Sequence, residues 1–167
     1  EFEILSLEAS GWTTHAIGKI ARASEFEFAD ESLSDIQNRC HEEVSIDESY
    51  AIFTASGLEY GPAFRSIHSI KRAEGDLLAE IHLASANQST PNKYVIHPSI
   101  FDGCLQATGV FFGVGRGTTP IYLPVSFEKI NVKPVQGEKV WCHITKGMNA
   151  TSEKNISCDI TLYDQSS

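Results

Sequence analysis

The chain has 167 residues, 41% of them hydrophobic, and a formal net charge of −9. That length suits one domain, or one and a fraction, with enough apolar content for a real core. With 13 Lys and Arg against 22 Asp and Glu, a nucleic-acid backbone is excluded as the expected partner, because binding it needs clustered cations.

The first elements read as strands. Phe2, Ile4 and Leu7 look like a strand already in progress, and Trp12 to Ala23 follows Ser10-Gly11 as a second. The abrupt start, with no initiator Met, reads as a piece of a larger polypeptide. Ser24 to Ile46 is rich in Glu, Asp and Ser and reads as a linker with a short helical turn around Asp35 to His41. Asp47 is a candidate N-cap. Tyr50 and Phe53 then form a short helical stripe that Gly57 is placed to end. In Gly57-Leu58-Glu59-Tyr60-Gly61-Pro62-Ala63-Phe64, Gly-Pro after Tyr60 forces a change of chain direction. Such a turn either aims the tyrosine hydroxyl into a site or leaves a packed ring.

Phe64 to Arg72 and Leu77 to Ala84 form a hairpin candidate around Glu74-Gly75-Asp76. Leu77, Ala79, Ile81 and Leu83 alternate with Leu78, Glu80 and His82, as in a half-buried strand. His68 and His82 are candidate neighbours across it. Two histidines without a third ligand make a poor metal site, so a polar cross-strand pair is expected.

A long, mostly apolar helix is predicted from Pro98 to about Phe112, with Phe101, Cys104, Leu105, Thr108, Phe111 and Phe112 as its stripe. Proline suits the first helical turn, where its missing N–H has no partner. Asp102 and Gln106, four apart, share another face. Asp102 is then either a solvated acid near a helix start or a carboxylate kept for chemistry. The glycines from Gly113 to Gly117 follow the helix C-terminus, where the dipole disfavours phosphate, and read as a helix exit. Antiparallel strands are expected at Pro120 to Ile130, Lys139 to Lys146 and Asn155 to Tyr163. The layout is α+β, a sheet wrapped on one central helix.

Cys40, Cys104, Cys142 and Cys158 are widely spaced and include no Cys-x-x-Cys. Cys104, Cys142 and Cys158 fall on apolar faces and are expected as buried free thiols in a reducing cytoplasm. No apolar run is long enough to span a bilayer, and no basic-then-apolar leader opens the chain.

Three ordered stretches resemble the dehydratase domain of modular polyketide synthases. Gly57 to Phe64 is similar to its tyrosine-glycine-proline-phenylalanine motif. His97-Pro98-Ser99-Ile100-Phe101-Asp102-Gly103-Cys104-Leu105-Gln106 is similar to its aspartate motif, and Leu123-Pro124-Val125-Ser126-Phe127 to its leucine-proline segment. Trp12 to Gly18 resembles the segment that closes the first half of that domain. The resemblance implies the double hotdog fold, in which each half wraps an antiparallel sheet around a long helix. It divides the chain into residues 1–23, the last strands of the first half; residues 24–47, a linker; and residues 48–167, the second, C-terminal hotdog.

The resemblance also implies a reaction: loss of water from a 3-hydroxyacyl chain to give a 2,3-unsaturated thioester. The family splits its catalytic pair between a histidine in the first half and the aspartate in the second. No His-x-x-x-Gly-x-x-x-x-Pro occurs here, so the base is expected outside this chain, and neither His15 nor His97 is promoted to it. Asp102 would act as the acid, Gln106 would orient it, and Tyr60 would offer its hydroxyl. Gly61, Pro62, His97, Pro98, Leu123, Pro124 and Phe127 are the implied substrate-binding residues. No bound cofactor or metal is implied, only the phosphopantetheine arm of an acyl carrier protein. The implied partners are the first hotdog half, the carrier protein and a second copy in a dimeric synthase, with no membrane. Lys71, Arg72 and Arg116 are candidates for a basic docking patch on this acidic chain. Asp102 and Gln106 would serve an isomerase or cyclase on the same scaffold too, and a non-catalytic structural module is the other alternative.

Overall fold

The computed structural model describes residues 1–22, 31–87, 93–113, 122–135, 137–147 and 156–164. Two strands, β1 (Phe2–Glu8) and β2 (Gly11–Gly18), pair as a separate antiparallel hairpin. A short helix α1 (Leu33–Arg39) leads into β3 (Glu42–Glu43) and helix α2 (Ile46–Ala55). The hairpin β4 (Ile67–Ala73) and β5 (Asp76–His82) precedes the long helix α3 (Pro98–Phe111). Strands β6 (Lys139–Lys146) and β7 (Cys158–Tyr163) complete one five-stranded antiparallel sheet in the order β3-β4-β5-β6-β7.

Helix α3 lies across the inner face of this sheet, against β4, β5 and β6. His97 caps it, its Nδ1 accepting from the Ser99 N–H, and Pro98 takes the first turn. The buried stripe is Ile100, Gly103, Cys104, Ala107 and Val110, one residue round from the predicted stripe. Phe101, Leu105, Thr108 and Phe111 are only half-buried. Close approach explains the rotation. A Cβ on Gly103 would lie 2.3 Å from Ser66 Oγ and 3.0 Å from Ile81 Cγ2, so the sheet accepts the small-residue face and leaves the bulky flank aside. Ser66 Oγ donates to the Ser99 carbonyl at 2.8 Å and ties the helix start to the approach to β4. Each large apolar side chain buried here, such as Ile81 or Ile144, contributes about 1.5–3 kcal/mol.

Part of the stretch expected as a linker is structured and packed. Ser32, with its Oγ accepting from the Asp35 N–H, caps α1. Ile36 and Cys40 are fully buried with Leu78 and Tyr163 on the outer face of the sheet. Leu78 is therefore as buried as Leu77, and the predicted half-buried alternation of β5 fails where α1 covers it. Arg39 grips Asp76 with two hydrogen bonds, from Nε at 2.9 Å and Nη2 at 3.1 Å, and bonds Glu31 at 2.6 Å. His143 Nε2 reaches the same Asp76 at 2.7 Å. Burial pushes the Asp76 carboxyl up, but the hydrogen bonds from Arg39 and His143 outweigh it and hold it below the usual carboxylate range.

Other expectations are corrected in detail. Ser45, not Asp47, caps α2, its Oγ accepting from the Glu48 N–H. Gly57, at φ +87°, ends that helix as expected. The predicted strand from Pro120 to Ile130 is absent among the described residues: 122–135 carry no strand, and Val125 is 88% exposed. Pro124 lacks the N–H a ladder needs. The glycine-rich exit beyond Gly113, with Arg116, lies outside the described residues. The cysteines are free thiols: Cys40, Cys104 and Cys142 are buried and Cys158 partly so. Among the described residues no helix is long and apolar enough to cross a membrane.

Candidate active site

Asp102 and Gln106 sit on successive turns of α3, as their spacing predicted. Gln106 Nε2 donates to Asp102 Oδ2 at 2.7 Å and to the Phe64 carbonyl at 2.9 Å. The Tyr50 hydroxyl donates to Gln106 Oε1 at 3.0 Å. Both neighbours of Nε2 are acceptors and the neighbour of Oε1 is a donor, so the amide can face only one way. Gln106 is 3% exposed, and its carboxamide is held from three sides. Asp102 is half-buried. Its Oδ1 carries no hydrogen bond from the described residues, which leaves that oxygen for a ligand.

Asp102 and Gln106 line a cleft of about 110 Å³ with Tyr60, Leu105, Leu123 and Pro124. Tyr60 packs edge-on against Phe53 and Tyr50, with ring centroids 5.5 and 6.1 Å apart. Burial, and then the Asp102 charge, push the Tyr60 phenol up, so it stays protonated and able to donate. Burial acts likewise on Tyr50. The Tyr-Gly-Pro turn is tethered by Arg65, whose Nε donates to the Tyr60 carbonyl at 3.2 Å. The Arg65 guanidinium also lies 4.8 Å from the centre of the Tyr50 ring.

The structure thus brings together Asp102, Gln106, Tyr60, Leu123 and Pro124. Phe127 is half-exposed and rests on Phe101 at 5.8 Å between ring centroids, outside the cleft lining. Gly61 and Pro62 are exposed in the turn, and His97 and Pro98 build the start of α3; none of the four lines the cleft. None of the six histidines lines it either. His15 bonds Ser6 at 2.6 Å on the exposed hairpin, and His143 is committed to Asp76. In the expected docking patch, Arg72 is already paired with Glu42.

Sequence reasoning missed two features. Tyr50 was read only as part of a helical stripe, yet it fixes Gln106 across 56 positions of sequence. Glu80 joins His68 and His82 as a third donor on the outer face of the sheet. The signal for Glu80 was present, since it shares a face of β5 with His82 two residues on.

Residues 28–167 match the family model described as the polyketide synthase dehydratase N-terminal domain. The chain is 29% identical over 136 residues to the polyketide synthase PksN of Bacillus subtilis, covering 81% of this chain and 2% of that protein. It superposes on the dehydratase domain from the CurF module of curacin polyketide synthase with a TM-score of 0.77 at 26% identity, covering 98% of this chain and 57% of that one. An inactive aspartate-to-asparagine mutant of the CurK dehydratase matches with a TM-score of 0.74 at 25% identity, covering 98% and 57%. The chain therefore spans a small fraction of the synthase and just over half of each dehydratase structure. Its sheet and central helix have the hotdog fold of these neighbours. The chain belongs to the polyketide synthase dehydratase family.

Proposed function

We propose that this chain supplies the aspartate side of a dehydratase site that eliminates water from a 3-hydroxyacyl thioester. The carrying observation is the clamp at the cleft: Tyr50, the Phe64 carbonyl and Gln106 hold Asp102 through Oδ2 and leave Oδ1 without a partner among the described residues. That arrangement is what a positioned proton donor needs. Loss of activity in the CurK dehydratase on an aspartate-to-asparagine change supports an essential carboxylate in such domains.

In this reading a histidine outside the chain removes the proton from C2. The electron pair forms the C2–C3 double bond as the C3 hydroxyl departs with a proton from Asp102. Water and a 2,3-unsaturated thioester result. Gln106 is a positioning residue, and Tyr60 offers a hydrogen bond to the substrate. Leu105, Leu123 and Pro124 form an apolar wall for the acyl chain. The cleft of about 110 Å³ is well below the roughly 300–1,000 Å³ usual for a ligand site, which fits a site completed by the other hotdog half. The exposed apolar side chains of the β1–β2 hairpin, among them Leu7, Trp12 and Ile17, are a matching surface for that half. The substrate would arrive on the phosphopantetheine arm of an acyl carrier protein in a dimeric, cytoplasmic synthase, with no cofactor bound by the domain itself.

Asp102→Asn in a protein with both halves tests the proposal. Turnover of a 3-hydroxyacyl carrier substrate should fall by about 10²–10⁴-fold with unfolding behaviour unchanged. Near-normal turnover would remove Asp102 from the mechanism. Product analysis in the same assay separates water loss from double-bond migration or ring closure.

A further inference from the structure

The outer face of the β4–β5 hairpin carries a cluster that dehydration does not use. From Ser69 onward the register is regular, with Ser69 opposite Glu80 and Ile70 opposite Ala79. Continued unbroken, it would set His68 opposite Ile81 and on the buried face. Instead Ile67 pairs with Ile81, and His68 is the extra residue of a bulge. Ile67 takes the inward position, 7% exposed, and His68 stays outside. Re-aiming one side chain is what a bulge does.

Outside, His68 meets His82. The two rings stack with centroids 4.2 Å apart and planes 5° from parallel. Glu80, two residues before His82 on the same face of β5, completes the group, and one ligand atom from each residue lies within 4.8 Å of the others. Two imidazoles and a carboxylate are a donor set for zinc, with a fourth position left open. Glu80 Oε1 lies 2.7 Å from His82 Nε2, so the carboxylate and this imidazole already converge. Lys139 Nζ lies 2.5 Å from Glu80 Oε1, so this carboxylate already draws a cation. The same ammonium lies 4.8 Å from the centre of the Trp141 ring, a second place for it if a metal displaces it.

We propose that His68, Glu80 and His82 form a surface site for a divalent transition metal, with Zn²⁺ as the probe. None of the three lines the Asp102 cleft, so the site is independent of the dehydration reading. In the test, intact metal-free protein is titrated with Zn²⁺ in competition with a chromophoric chelator. One equivalent should bind, with affinity weakened at least about tenfold in each of His68→Ala, His82→Ala and Glu80→Gln, since even an outer-shell partner is worth that much. Zn²⁺ should also raise the unfolding midpoint of the parent protein and not that of His68→Ala. His68 is exposed, so its replacement leaves the core untouched. Absence of Zn²⁺ binding, or an affinity unchanged from the parent in His68→Ala or His82→Ala, would overturn the site. Unchanged affinity in Glu80→Gln would overturn its three-ligand form.

Discussion

Asp102 draws its geometry from Gln106, and Gln106 draws its own from Tyr50 and the Phe64 carbonyl. Tyr50→Phe removes one donor and leaves a buried amide oxygen without its partner. A stability loss of about 1–3 kcal/mol is expected, read by denaturant unfolding. The positioning role predicts a fall in kcat with KM little changed in a protein with both halves. Equal kcat would reduce Tyr50 to packing. The Asp102–Gln106 pair was legible because i, i+4 neighbours share a helix face whatever surrounds them. Tyr50 was not, because its contact depends on how α2 and α3 are brought together.

At the scale of elements, α1 shows how charge and a few apolar anchors dock a short helix. Only Ile36 and Cys40 are fully buried from it, and Arg39 supplies the rest by gripping Asp76. Because the folded Asp76 pKa lies below its unfolded value, the cluster's contribution is present above the ordinary carboxylate range. It is lost as pH falls through the lower, folded value. Parent protein and Asp76→Asn compared by urea unfolding at stepped pH should therefore differ by about 1–3 kcal/mol at neutral pH and begin to converge only as pH falls below about 4. A constant difference down to pH 3 would refute the linkage. The sequence marked this helix only as a short turn around Asp35 to His41, because seven residues with one buried anchor barely register as a period. On α3 the period was clear but its phase was not, since Gly103 decided which stripe the sheet could approach.

Over the whole molecule, the five-stranded sheet is covered by α3 on one face and partly by α1 on the other. The β1–β2 hairpin keeps Leu7, Trp12 and Ile17 between 68% and 74% exposed. Apolar side chains so placed are expected to be covered by another part of the protein. The 167-residue chain alone should then show no dehydration, and adding the preceding half should restore it. Measurable water loss by the chain alone would refute the split site and turn attention to its own histidines. Sequence by itself determined the α+β layout, the β4–β5 hairpin, the long helix and the carboxylate–amide pair. These follow from local periods, turn glycines and i, i+4 spacing, which survive any tertiary arrangement. Only the tertiary structure decided which stripe of α3 is buried, which tyrosine holds Gln106, and that His68 joins Glu80 and His82. Those outcomes depend on strand register and on close approach between segments far apart in the chain, and a single extra residue at a bulge is enough to change them.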